Sequence, residues 1–133
     1  IDFHSCHKLL VLSHGIVPHR ALGRLVANTG KHNIRKMADE YIQRLMQALK
    51  RKATRRSHAN VLQHLQGYLK RALDRSDRQE LVEVIDHYRL GRVPLVVPMT
   101  LLRHHFRRHP DPYITRQIYL NPHPPELMLR NLI

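Results

Sequence analysis

An all-α fold, a compact bundle of six to seven helices in one domain, is what this sequence predicts, and three observations carry the prediction. Apolar residues recur at helical spacing along most of the 133 residues. Glycine, proline and short polar clusters interrupt that pattern at helix-length intervals. The one stretch that could pass for a strand, RVPLVVP (92–98), holds two prolines and has no partner strand, so a buried extended connector suits it better. With no Trp and aromatics at 5%, the core has to come mostly from Leu, Val, Ile, Met and Ala.

The elements follow in order. Residues 2–14 place Phe3, Leu9, Leu10 and Val11 on a buried side, and Gly15 can end that helix. Pro18 stands where a second helix can open, carrying Ala21, Leu22, Leu25 and Val26. NTGKHN (28–33) is turn material. Residues 34–52 have the clearest stripe: Ile34, Met37, Ala38, Tyr41, Leu45, Ala48 and Leu49, with Lys36–Glu40 and Glu40–Arg44 pairs on the outer side. Thr54 or Ser57 can cap the next helix, which runs to about Leu73, although one continuous helix through KRKATRR (50–56) stays open. Ser76 and Gln79 have capping-box spacing for a helix with Leu81, Val84, Ile85 and Tyr88 inside and Gly91 as its stop. Pro98 can open the helix that carries MTLLRHHFRRH, and Asp111–Pro112 can start another at YITRQIYL. The tail PHPPELMLRNLI is expected to add one short helix.

Charge narrows the function. Lys and Arg total 23 against 10 acids, a net +13 with histidine neutral, and 12 histidines can add to it in acid. A folded domain with that excess repels itself, and polyanions are the partners that relieve it. One cysteine, Cys6, excludes an internal disulfide and a cysteine cluster; it fits a reducing, cytoplasmic setting. No membrane span is expected, because the longest apolar run, VPLVVPMTLL (93–102), is too short and proline-broken. The chain opens on Ile1 without Met, which suggests residues 1–133 are one domain excised from a longer protein.

The segment NVLQHLQGYLKR (60–71) is the most informative. At about 100° per residue, Val61, Leu62, Leu65, Tyr68, Leu69, Ala72 and Leu73 share one side of a helix. Asn60, Gln63, His64, Gln66, Gly67, Lys70 and Arg71 share the other, and Arg56 extends it by a turn. That polar side holds no acid, whereas a merely soluble surface mixes signs. Its amides donate and accept, and its cations only donate. Gly67 costs about 1 kcal/mol against alanine in mid-helix, which either a ligand backbone or a packed neighbouring helix would justify. Lys50, Arg51, Lys52, Arg55 and Arg56 are candidate phosphate anchors; Asn60, Gln63, His64, Lys70 and Arg71 are candidates for backbone or sugar contacts. Arg103, His104, Arg107 and Arg108 cover one side of a later helix and can join this surface. The aromatics fall mostly in apolar stripes, so recognition of a folded backbone shape is expected over reading of unpaired bases.

Catalytic chemistry is not evident. There is no G-x-S-x-G, phosphate loop or dinucleotide turn. His4 and His7 can share a helical face, but the spacing supplies no third metal ligand, so no metal is expected. They would rather bond backbone or phosphate, or cap a helix end. Cys6, beside His7 and Lys8, is either an activated thiol or a small filler.

Four motifs in order, FHSCHKLL (3–10), NVLQHLQGYLK (60–70), GRVPLVVPMTLLRHH (91–105) and YLNPHPPELMLRN (119–131), resemble the YbgA-like domain family, a domain of unknown function. In that family the domain often follows a TudS-type desulfidase domain whose cysteines hold an iron–sulfur cluster. The fused proteins resemble RudS-like enzymes, which remove sulfur from 4-thiouridine in tRNA. The resemblance implies a tRNA-binding half that presents thiolated tRNA to a fused or partner desulfidase, with the cluster in that other domain and no cofactor here. The motif positions it carries over are His4, His7, Lys8, Asn60, Gln63, His64, Gly67, Lys70, Arg103 and His104. A protein-docking module without nucleic acid, and a histidine-based metalloenzyme, are the alternatives.

Overall fold

The computed structural model describes residues 1–28 and 34–121, which form seven helices and, among those residues, no strand. They are α1 (Asp2–Ser13), α2 (Ile16–Ala27), α3 (Ile34–Lys50), α4 (Arg55–Leu69), α5 (Arg75–Arg89), α6 (Val96–Arg108) and the single turn α7 (Pro112–Thr115). The expected helix in 122–133 and most of the 28–33 turn lie outside the described residues.

Two helices organise the bundle. α1 packs on α2, α3 and α4, and α4 packs on α1, α5 and α6. Because α1 is shared, it buries two sides. Leu9 and Leu12 enter a large core with α4, α5, α6, Ile114 and Tyr119, while Val11 enters a smaller one with Leu22, Tyr41, Leu45 and Ala48. This is why the single apolar side expected for residues 2–14 is not observed. Leu12 is buried, Leu10 is only half-buried, and Phe3 stays exposed, stacked on His7 at 4.0 Å. The chain returns to α1 near its end: the buried Gln117 donates to the Ser5 carbonyl at 2.6 Å and the Ile118 amide donates to that of Cys6 at 3.0 Å.

Local chemistry sets the boundaries. Gly15, at φ 137°, lets α2 start at Ile16, and Pro18 is its third residue, still within the first turn where no amide hydrogen is needed. On α3 the stripe is narrower than expected: Tyr41, Leu45 and Ala48 are buried, whereas Ile34 and Ala38 are exposed. Glu40 and Arg44 pair at 2.8 Å as expected. No continuous helix crosses 50–56, because Thr54 is extended and forms a reciprocal capping box with Ser57. α4 ends at Leu69, earlier than expected, since Asp74 must turn to cap α5; Leu73 is buried all the same. Asp74, not Ser76, holds the Asp77 amide at 2.8 Å, which places Ser76 inside the helix. Gly91, at φ 78°, closes α5 with Arg92 N–H to the His87 carbonyl and Gly91 N–H to that of Tyr88, a Schellman stop. The expected extended connector at 92–98 is shorter: its last three residues begin α6. Asp111 caps α7 as expected, accepting from Tyr113 and Ile114, but that helix is only one turn.

Candidate nucleic-acid interface

The site begins with how α4 is anchored. Its capping box starts the helix, and the Ser57 hydroxyl also donates to the Ser13 carbonyl, tying α4 to the end of α1. Arg55 donates to the carbonyls of Tyr88 at 2.6 Å and Val93 at 3.1 Å, and its guanidinium lies 4.4 Å from the centre of the Tyr88 ring. These bonds lock the start of α4 against the end of α5. They also give Arg55 a role the sequence did not predict: it braces the fold by donating to one carbonyl in the last turn of α5 and one in the connector beyond it.

So anchored, α4 turns its apolar side inward. Val61, Leu62, Leu65 and Leu69 are at most 1% exposed. Gln63, His64, Gly67, Lys70 and Arg71 are exposed and Asn60 and Gln66 half-buried, as the periodicity requires. Two residues depart from it. Tyr68 is 49% exposed and stacks on Tyr113, and Ala72 lies past the helix end. Gly67 settles one open choice. A Cβ built there would meet nothing within 4 Å, so no neighbouring helix packs against it.

Two hollows border the polar side of α4 and make up the α4–α5 groove, the larger of them shared with α1 and α2. The larger, about 880 Å³, is lined by Leu12, Ile16, Arg56, Ala59, Asn60, Gln63 and Arg89, with Thr54, Arg55 and Ser57 at its head. The smaller, about 380 Å³, is lined by Gln63, Gln66, Gly67, Lys70, Arg78 and Val82 above Leu69, Leu73 and Leu81. Gln63 lines both. From Arg56 to Lys70 the helix rises roughly 21 Å. Arg56 and Arg89 stand at one end, Lys70 and Arg78 at the other, with amides between.

Arg78 and Arg89 escaped sequence reasoning, because α5 looks acidic: Asp77, Glu80, Glu83 and Asp86 all lie on it. The signal was its phase. Arg78, Val82 and Arg89 share one side at 100° per residue, while Asp77 and Glu80 point the other way and act on His105 of α6. Asp86 alone stands near the groove, and it pairs with Arg89 at 3.2 Å. No carboxylate lines either hollow.

The other candidates divide. Lys50, Arg51 and Lys52 are exposed at the α3–α4 junction. Arg51 accepts from the His14 ring at its carbonyl, and its side chain lines a separate hollow with Arg44, Val17 and Pro18. The expected union of Arg103, His104, Arg107 and Arg108 with the α4 face is not observed. Arg103 and Arg107 line a different hollow of about 520 Å³ between α6 and α7, which shares no residue with the groove, because α6 meets α4 through its buried side. Arg103 also donates to the Leu120 carbonyl at 2.8 Å, another brace. His104 and Arg108 are exposed.

The histidine pair of α1 does not converge. His4 is buried and bonds the Tyr41 hydroxyl at 3.0 Å. His7 turns back to the Phe3 carbonyl at 2.7 Å, a backbone bond as expected. Burial first, then the positive charges of Lys8, His19 and the N-terminus, hold the His4 pKa at about 4, so it is neutral under physiological conditions. Burial also lowers His19, and the charges of Lys8, His64 and Arg20 lower it further, against a backbone hydrogen bond at Lys8 that raises it. Among the described residues no three of His, Cys, Asp and Glu are grouped to hold a metal ion, and no helix is long and apolar enough to cross a membrane.

Comparison with known proteins adds the lineage. No solved structure matches the chain. The "Uncharacterized protein YbgA" of Escherichia coli strain K12 is 36% identical over 132 residues, covering 98% of this chain and 78% of that protein. The family described as "Protein of unknown function (DUF1722)" matches residues 8–124, which spans both cores and the whole groove, and no catalytic family is indicated. The chain therefore belongs to this family of YbgA-like domains.

Proposed function

We propose that this domain binds RNA, tRNA foremost, along the α4–α5 groove, and that it presents thiolated tRNA to a fused or partner iron–sulfur desulfidase. The carrying observation is the groove itself: Arg56, Arg89, Lys70 and Arg78 line it together with Asn60, Gln63 and Gln66, and no carboxylate does. Guanidinium forks and an ammonium suit phosphate oxygens, and amides suit sugar hydroxyls and base edges. Arg56, Arg89, Lys70 and Arg78 along the groove allow contact with about four phosphates. The desulfidase part of the proposal rests on the family resemblance, and no group for a cluster is needed on this chain.

Gel-shift titration against tRNA and heparin at two salt concentrations tests the reading. Expected are tRNA binding at low salt, a steep loss at high salt, and preference for tRNA over heparin. Absence of binding at low salt, or equal preference for the two polymers, overturns it.

A docking role has its own support on another face. Ile34, Ile42 and Met46 of α3 are 71%, 57% and 53% exposed, away from the groove. Sedimentation with a desulfidase domain in the absence of nucleic acid separates the roles: a complex under those conditions assigns this domain a protein-docking role with or without RNA binding.

A further inference from the structure

The larger hollow holds more than a phosphate backbone requires. Its volume of about 880 Å³ falls in the range of small-molecule sites. Ile16, 43% exposed, forms an apolar wall, with the buried Leu12 and Ala59 behind it. Aliphatic surface contributes nothing to holding phosphate, but it supports the face of a heterocyclic ring. Asn60 and Gln63 stand along the same hollow. Their carbonyl oxygens repel phosphate, and their paired donor and acceptor match the edge of a base. Arg56 and Arg89 supply the charge; Arg89 spends its Nε on Asp86 at 3.2 Å, which leaves the rest of its fork available. Apolar wall, amide edge and arginine pair are the three parts that a nucleotide needs.

We propose that this hollow, where the ends of α1 and α5 meet the starts of α2 and α4, is a mononucleotide subsite. One unstacked nucleotide of the bound strand enters it, with the base against Ile16, the base edge on Asn60 and Gln63, and the phosphate between Arg56 and Arg89. This inference rests on the RNA-binding reading and names its recognition element: a single nucleotide turned out of its stack, in a domain that otherwise holds backbone.

Amide-detected NMR titration of the chain with the four nucleoside 5′-monophosphates and with inorganic phosphate tests it at millimolar concentrations, where weak binding is visible. The monophosphates should move the side-chain amide signals of Asn60 and Gln63 together with the Arg56 and Arg89 signals, whereas inorganic phosphate should move only the arginines. Ile16→Ser, a change at an exposed position whose spectrum reports its fold, should weaken all four nucleotides by about tenfold. An Asn60→Ala/Gln63→Ala pair should level the differences among the four bases. The subsite is overturned if inorganic phosphate reproduces the nucleotide pattern, if the nucleotides leave the amide signals still, or if both variants bind as the parent does. Transfer RNA binding by gel shift without monophosphate binding removes the subsite and keeps the RNA reading. Monophosphate binding without tRNA binding does the reverse.

Discussion

The runs at 50–56 and 103–108 are both basic, KRKATRR in one and RHHFRR in the other, yet the fold uses their neighbourhoods differently. Each gives up one arginine as a brace: Arg55 to the carbonyls of Tyr88 and Val93, and Arg103 to that of Leu120. Each leaves other cations at the surface. Arg56 then meets Asn60, Gln63 and an arginine from a second helix, Arg89. Arg107 meets Thr100, Phe106, Pro110 and Asn121, with no second-helix cation and only the bracing Arg103 beside it. Charge supplies long-range attraction in both places. Only the first has the convergent donors that would turn attraction into a site, and this difference, more than the count of lysines and arginines, locates the candidate interface.

Reversing charge at both places tests that contrast directly. Arg56→Glu with Arg89→Glu, and Arg107→Glu with Arg108→Glu, change the net charge equally. The groove pair should lower tRNA affinity by about 100-fold at low salt and reduce the slope of log affinity on log salt by about 2. The α6 pair, acting through the overall field, should cost about fivefold or less. Equal losses would mean that net charge alone governs binding, and the contrast between the two runs would fall.

The braces sharpen the comparison from the side of stability. Arg55→Ala removes two charge-assisted bonds to backbone carbonyls and the ring contact with Tyr88, and should lower unfolding free energy by about 2–3 kcal/mol. Arg103→Ala removes one such bond and should cost about 1–2 kcal/mol. Arg56→Ala, one residue along from Arg55, should stay within about 0.5 kcal/mol of the parent. Urea unfolding midpoints at unchanged slope give all three. If Arg55→Ala and Arg56→Ala prove alike, the division into brace and contact is wrong.

Much of this was legible beforehand, and the misses share one cause. Periodicity located the helices and separated Val61, Leu62 and Leu65 from Gln63 and His64, because one helix facing one core obeys a single phase. It misplaced Phe3 and Leu12, because α1 faces two cores. Cap chemistry gave Asp111 correctly but placed the α5 cap at Ser76 where Asp74 holds it, since the turn after Leu69 decides where that helix starts. For the site, residues on α4 were readable, but Arg78 and Arg89 were hidden under the acids of their own helix. Which side of α5 meets α4 is a tertiary fact. The bracing role of Arg55 was unreadable for the same reason, because its partners lie more than thirty positions away.

Gly67 joins stability to function with the smallest expected effect. Unlike Gly15 and Gly91, it has no positive φ to require glycine, and its missing Cβ would meet open space. Nothing within the fold explains it, and a helix interior pays about 1 kcal/mol for glycine against alanine. Gly67→Ala should therefore raise stability by about 0.5–1 kcal/mol. The same methyl group lines the smaller hollow beside Lys70 and Arg78. If a phosphate backbone lies against α4 there, the variant should bind tRNA a few-fold more weakly while unfolding later. A gain in stability with unchanged tRNA affinity would put the bound strand at the Arg56–Arg89 end alone, since a backbone resting on the Lys70 end cannot ignore a side chain placed beneath it.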